Sequence, residues 1–349
     1  MAAENVLVTF SPFLSHAAMD ILHCPGHRWR KALSTLSGYA RRLFQALQPG
    51  AHDVAFVYRE AALLGPAWIE RAISRKLPVV YDFDDAIYLP AASAANAWAA
   101  AFRSPKKVDA ICGLSRHVVV GNERLADYAR SRSLSVTVIP STIDTAAYQV
   151  RRSRSRGRPV VGWTGSTTTL PYLKRIERAL VELRSRVDYE FLIIGGEVAF
   201  PGVDVKCLPW RAKSEAEDIA ALDVGIMPLP DDEWARAKCG IKALQYMAAG
   251  VPPVVSPVGV NEEIVLDDVN GFHARTEGDW VERLALLLRN AKLRTELGRE
   301  ARRTVVERYS ARVHAPRMAA VLRAAAAREL GYPTRDRGEF SWPGKSRKF

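Results

Sequence analysis

The sequence predicts an α/β protein of two Rossmann-like domains facing across a cleft, with helices at its C-terminal end. Three observations carry that expectation. Short β-branched runs alternate with helix-length amphipathic stretches from residue 5 to about residue 290, as in parallel sheets built from βαβ units. The chain has 349 residues, enough for two cores at roughly 150 residues each. Between two sets of such runs lies a polar stretch, residues 151–158, with five arginines and a following Pro159, the composition of a domain linker.

Taken in order, the first set of strands is read at residues 5–10, 53–58, 78–82, 117–121 and 136–139, and the second at 159–163, 189–194, 204–208, 223–227 and 253–256. A first domain over 1–150, a linker over 151–158 and a second domain over 159–330 follow. Pro78-Val-Val-Tyr-Asp-Phe-Asp-Asp85 begins apolar and ends in carboxylates, as a buried parallel strand does when its C-terminal end opens on a binding crevice. Beyond Gly271 the pattern turns helical, with apolar residues three and four apart over 279–290, 293–309 and 311–330. Residues 331–349 mix Gly, Pro and charge and read as a flexible tail.

Composition excludes several classes. Apolar residues at 48% and charged residues at 25% are ordinary for a globular chain and unlike a disordered, collagenous or coiled-coil one. No stretch reaches the roughly 18 apolar residues of a membrane span, and no leader pattern opens the sequence, so a cytoplasmic protein is expected. Cys24, Cys112, Cys207 and Cys239 are too scattered for a disulfide framework or a zinc knuckle. The net charge of +12 suits phosphate-bearing ligands or an anionic membrane surface. Nucleic acid is not expected, because no recognition motif accompanies the charge and the 151–158 run has no aromatic residue for base stacking. Arg28, Arg30 and Lys31, then Arg41 and Arg42, stand beside Trp29, Leu33, Leu43 and Phe44. That mixture suits peripheral contact with the inner membrane face, or a helix whose apolar residues are core.

Three stretches in the second half carry chemistry. Val160-Val-Gly-Trp-Thr-Gly-Ser166 is an apolar strand running into a turn with two glycines and two hydroxyls. Such a turn before a helix suits a diphosphate, and equally a plain tight connection; neither Gly-x-Gly-x-x-Gly nor a Walker Gly-Lys-Ser/Thr occurs. From Asp223 to Gly250 a buried strand leads through a polar loop into a helix near Gly240. On a helical projection Ile241, Leu244, Met247 and Ala248 share one face and Lys242 and Gln245 the opposite one, with Lys238 ahead of the first turn. Cations at a helix N-terminus oppose its dipole unless an anion lies between them. In Ser256-Pro-Val-Gly-Val-Asn-Glu-Glu-Ile-Val265, Gly259 allows close backbone approach, and Glu262 or Glu263 suits hydroxyl hydrogen bonds or a helix start.

In the first half, Arg59 and Glu60 follow one strand, and Asp82, Asp84 and Asp85 end the next. Asp84 or Asp85 suits orienting an acceptor hydroxyl or taking its proton. A cap on the following segment, or a divalent ion held by Asp82 and Asp84, suits the same residues.

Together these stretches resemble the group 1 glycosyltransferases of the GT-B fold, most densely over residues 159–274, with Tyr81-Asp-Phe-Asp-Asp-Ala-Ile-Tyr88 and Ile139-Pro-Ser-Thr-Ile-Asp144 in support. The resemblance implies a first domain that holds the acceptor and a second that binds a UDP- or GDP-linked sugar. It implies transfer to a hydroxyl acceptor (a glycan, lipid-linked or small molecule) with retention of configuration, and without metal or cofactor. Gly162, Thr164, Gly165 and Ser166 would approach the diphosphate, Lys238 would neutralise it with Lys242 sharing the charge, and the helix from Gly240 would point at it. Gln245, Gly259 and Glu263 join the donor side, Arg59 and Glu60 the acceptor wall, and Lys238, Asp84 and Asp85 are the catalytic candidates.

Departures from the family's pattern stand beside this. Two family glutamates with seven residues between them fall here on Ala237 and Gln245, so a ribose hydrogen bond survives while a sugar contact is lost. The usual Arg of the phosphate turn is replaced by Trp163 and Thr164. Residues 5–10 read as the family's second strand, as though the first βα unit were missing. The alternative these departures favour is a degenerate member that binds a sugar nucleotide, or a partner, without turnover.

Overall fold

The computed structural model describes residues 1, 4–15, 18, 21, 28–62, 65–89, 106–150 and 157–327. Cys24, the Arg28 side chain, linker residues 151–156 and the tail 331–349 lie outside them.

The first sheet holds β1 (Ala55–Tyr58), β2 (Val79–Phe83), β3 (His117–Val120) and β4 (Val136–Val138) in that spatial order, all parallel. Its helices are α1 (Arg28–Leu47), α2 (Trp68–Ser74), α3 (Lys107–Leu114) and α4 (Glu123–Arg130). The two-residue period of a strand sorts β2 cleanly. Val79, Tyr81 and Phe83 enter a core with Ile111, Cys112 and Leu125, while Val80 enters a separate one with Val119 and Ile139.

Residues 5–10 correct the sequence reading: they carry no strand pairing, and Leu7 and Phe10 are exposed. Alternating apolar residues satisfy the local pattern, but a strand also needs a partner ladder. The chain is drawn aside at Ser11, whose hydroxyl is bonded by Gln45 and Arg42 of α1 at 2.9 and 3.0 Å.

The second sheet runs β10-β9-β8-β5-β6-β7, all parallel. Its strands are β5 (Val160–Thr164), β6 (Glu190–Ile194), β7 (Val205–Leu208), β8 (Val224–Met227), β9 (Pro253–Val255) and β10 (Phe272–His273). The order reverses between β5 and β8, which makes the C-terminal end of β5 a topological switch point, where open α/β sheets bind ligands. A 3₁₀ turn (Thr167–Thr169) and α5 (Leu170–Lys174) follow β5, and α6 (Glu177–Arg186), α7 (Glu215–Ala220), α8 (Glu233–Arg236), α9 (Ile241–Ala248) and α10 (Asn261–Ile264) follow in turn. One face of the sheet buries Val161 and Trp163 against Leu180, Leu183 and Leu284. The other buries Val160 among Leu222, Leu244, Tyr246 and Met247.

The chain ends in α11 (Glu277–Arg289), α12 (Ala291–Thr304), a π turn (Val305–Tyr309) and α13 (Ala311–Ala326). The sequence pattern places residues 311–330 in the second domain, but α13 packs on the first sheet: Val321, Leu322 and Ala325 cover Val80, Val119 and Ile139. Its apolar stripe supplies the second cover that the inner strands of a parallel sheet require.

Candidate donor and acceptor site

Tyr246 sets the geometry at the end of β5. Fully buried on α9, it accepts from Thr164 N at 2.9 Å and donates to the Ile226 carbonyl at 3.2 Å. Gly225 leaves room for its ring, since a Cβ there would collide with it. With α9 so fixed, Lys242 reaches the strand end. Its ammonium lies 4.4 Å from the Trp163 ring centroid and 3.3 Å from Thr169 Oγ1, and a Cβ on Gly165 would stand 2.7 Å from it. Burial, then the nearby Lys238, lowers the Lys242 pKa to about 7.

Several donor-side expectations change here. Gly162 does not face a ligand: it lies buried in mid-strand, and Leu222 fills the space its side chain would take. The amides of Thr164, Gly165 and Ser166 are engaged by Tyr246 Oη, the Ile194 carbonyl and Thr169 Oγ1, so the turn offers hydroxyls rather than these amides. Ser166 and Thr168 present theirs 2.7 Å apart on the exposed rim. Lys238 sits 5.9 Å from the Trp234 ring centroid, leaving Lys242 as the cation placed on the turn. Gly240, at φ 69°, starts α9 in the left-handed region that favours glycine, and Ile264 stands where its Cβ would go. Gly259, at φ 57°, closely approaches the Arg236 carbonyl. Glu263 lines a second cavity of about 340 Å³ with Arg308 and Arg317, whereas Glu262 pairs with Arg275 at 3.4 Å.

A neighbouring corner was not read from the sequence. Gly195, at φ 90°, lies against the Gly165 carbonyl and Trp210. Trp210 is half exposed and donates to Glu215 Oε1 at 2.6 Å, while Tyr148 donates to Glu215 Oε2 at 3.1 Å. Gln245 hydrogen-bonds Tyr148. An exposed indole, a carboxylate and a primary amide thus meet beside the end of β5, the combination that stacks a base and holds sugar hydroxyls. The legible signal was Gly195-Gly196 at the end of an apolar strand.

On the first-domain side a cavity of about 480 Å³ is lined by Tyr58, Asp82, Asp84, Gly121, Ser141 and Thr142, and across from them by Ile241, His314 and Met318. Of the catalytic candidates, Asp84 lines this cavity while Lys238 and Asp85 do not. Arg59, a non-glycine residue at φ 59°, donates to Asp84 at 2.9 Å; such left-handed strain clusters at functional sites. Arg59 thus pairs with Asp84, the second aspartate of the Asp82-Phe-Asp84 run, and among the described residues no group of three His, Cys, Asp or Glu is placed to hold a metal ion. Burial, then Asp84, raises the Asp82 pKa to about 7, against the pull of Arg59. Glu60 turns to the buried Lys107, 3.6 Å away, rather than to the cavity. Asp85 accepts from the adjacent amide, Ala86 N, at 3.1 Å.

Ala237, where a family glutamate was expected, is fully buried in the core of the first domain. Its carbonyl accepts from Asn122 Nδ2 at 2.8 Å, and Cys239 Sγ lies 3.3 Å from the same nitrogen. Burial pushes the Cys239 thiol up to about 12. The loop ahead of α9 is therefore embedded across the cleft.

These features define the class: the fold is that of the GT-B glycosyltransferases. Residues 158–290 match the family model described as glycosyl transferases group 1. Solved structures share the architecture. Sucrose-phosphate synthase from Thermosynechococcus elongatus aligns with TM-score 0.61 and 15% identity, covering 86% of this chain and 80% of that one. HepE from Anabaena, in complex with UDP and glucose, aligns with TM-score 0.62 and 16% identity over 84% and 82%. A glycosyltransferase from Rickettsia africae aligns with TM-score 0.62 and 12% identity over 90% and 89%. No curated protein matches the sequence. Among the described residues no helix is long and apolar enough to cross a membrane.

Proposed function

We propose that this protein transfers a sugar from a nucleoside diphosphate sugar to a hydroxyl acceptor, with retention and without a metal. The observation that carries the reading is Lys242: a half-buried lysine with its pKa drawn to about 7, aimed at the switch-point turn beside a second lysine. Such a pair is unfavourable until an anion enters between them. The diphosphate would lie against Lys242 and the Ser166 and Thr168 hydroxyls, the base on Trp210, and the ribose within reach of Glu215 and Gln245. A UDP-linked donor is favoured by the UDP and glucose bound to HepE, which shares the fold. As the sugar departs, charge builds on the diphosphate, and Lys242 together with the N-terminus of α9 stabilises it. The acceptor hydroxyl would enter from the 480 Å³ cavity, where Asp84, held by Arg59, orients it.

Ala237 favours a second reading, a protein that binds the sugar nucleotide without turnover, because a buried methyl makes no polar contact with a sugar. Titrating UDP, GDP and their sugar conjugates by calorimetry, with EDTA present, tests binding. Incubation with a UDP-sugar and assay for released UDP separates the two readings. Absence of binding to any nucleotide would overturn both.

A further inference from the structure

Helix α1 is mounted inside out. At 100° per residue, Trp29, Leu33, Leu36, Ala40, Leu43, Phe44 and Leu47 fall within an arc of about 100°, the stripe by which a helix ordinarily meets its core. Here that stripe faces outward, its large side chains 49% exposed at Leu43 and up to 85% at Trp29. The opposite, polar face is turned to the protein. Arg42 donates to the Ala61 carbonyl at 3.0 Å, Gln45 to Ser11 Oγ at 2.9 Å, and Arg41 to the Phe13 carbonyl at 2.8 Å. Gly38 lets Phe13 lie against the helix, and Tyr39 meets the Phe13 ring edge-on at 5.2 Å.

We infer that this face docks on an anionic lipid surface. From residue 21 to residue 52 the chain carries Arg28, Arg30, Lys31, Arg41 and Arg42 and no Asp or Glu. Exposed Arg30 and Arg41 project about 100° to 120° from Trp29, along one flank of the stripe. A stripe about 27 Å long with cations at its flank and an indole at one end is what an interfacial helix presents to headgroups and acyl chains. A second copy of the chain is the poorer occupant, because face-to-face helices would bring the exposed flanking cations Arg30 and Arg41 of each copy together with no carboxylate between residues 21 and 52 to offset them. The adjoining stretch with Leu7 and Phe10 exposed is tied to the same helix through Ser11 and extends the apolar surface. This inference goes beyond the donor reading and stands whichever sugar is transferred, or none.

The test is co-sedimentation of the full chain with phosphatidylglycerol–phosphatidylcholine vesicles and with phosphatidylcholine alone. Partitioning is expected to be at least about tenfold stronger on the anionic vesicles, and about tenfold weaker in Leu33→Glu and Phe44→Glu than in the parent. Both variants should keep the parent's melting temperature and its nucleotide titration, since neither side chain is buried. Equal partitioning on both lipids, or unaltered binding by the variants, would overturn the inference. So would a lipid-independent dimer dispersed by Phe44→Glu, or a capturing acidic protein that binds the stripe while vesicles do not. A fall in melting temperature in both variants with no vesicle binding would assign the cover to the chain itself and also overturn it.

Discussion

Asn122 Nδ2 donates to the Ala237 carbonyl over 2.8 Å while its Oδ1 accepts from Leu125 N at 2.9 Å. One side chain thus caps α4 in the first domain and grips the loop that launches α9 in the second. The donor-side helix is held in register with the acceptor-side strands by this contact rather than by the linker alone.

Asn122→Ala removes both bonds and leaves the Ala237 carbonyl buried, so a loss of about 2 kcal/mol is expected. Chemical denaturation checks it. Ala237→Glu, which restores the residue type common in the family, is expected to destabilise further and to gain no activity, because it places a carboxylate in an apolar core. A folded Ala237→Glu variant with faster turnover would show that the loop leaves its socket during the reaction.

Lys242→Ala is expected to weaken UDP binding by roughly ten- to a hundredfold, the worth of a charge-assisted phosphate contact of about 1.5 to 3 kcal/mol. Lys238→Ala should cost less, because its ammonium lies over Trp234. Calorimetric titration of both variants ranks them.

The same lysine sets a pH dependence. With a free-state pKa of about 7, Lys242 is protonated below neutrality and ready for the diphosphate. Above it, binding must take up a proton. UDP affinity should therefore fall as pH rises from about 7, by up to about tenfold per pH unit, until the pKa of the complex is reached. Lys242→Arg stays charged throughout and should flatten the profile.

Asp82 gives stability a pH dependence of the same direction. Its carboxyl ionises near 3.8 when unfolded but at about 7 in the folded protein, so folding retains a proton between those values, and stability falls as pH rises through that window. Asp82→Asn should stabilise the protein by up to about 4 kcal/mol above pH 7 and by nothing below about pH 4. Denaturation midpoints at pH 4 and pH 8 give the comparison.

Trp210→Ala should weaken UDP binding by about tenfold or more, since stacking a base on an aromatic ring is worth about 1 to 3 kcal/mol. Free diphosphate should bind the variant and the parent equally. Loss of both would place Trp210 in the fold rather than under the base.

What the sequence disclosed follows from which interactions are local. The strands from Val160 to Val255 were legible because each is an apolar run closed by a turn, and the second-domain motifs sit at those turns. Residues 5–10 misled because their alternation is local whereas pairing is not. The helical projection placed Lys242 opposite Leu244 correctly, but no projection tells that the end of β5 lies there. The same gap hid Trp210 and Glu215, which reach Gln245 only through Tyr148. In α1 the periodicity was plain and the direction it faces was not. Gly162 and Gly259 were legible as close approaches, yet what approaches them is Leu222 and Arg236.

The return of α13 has a mechanical consequence. The chain crosses from the first domain to the second between Ile139, packed on the first sheet, and Ile143, in the second domain's core, and comes back at Ser310, and the two passages lie side by side. Ile143 pairs with Ser310, its amide bonded to the Tyr309 carbonyl at 2.9 Å and its carbonyl to Ala311 N at 2.9 Å. The two domains are thus joined by a pair of crossings bonded to one another rather than by a single strand of chain. Cutting the chain in the 151–156 stretch would leave the second fragment carrying a helix whose seat is on the first, and the two fragments should reassemble by threading α13 back into that seat.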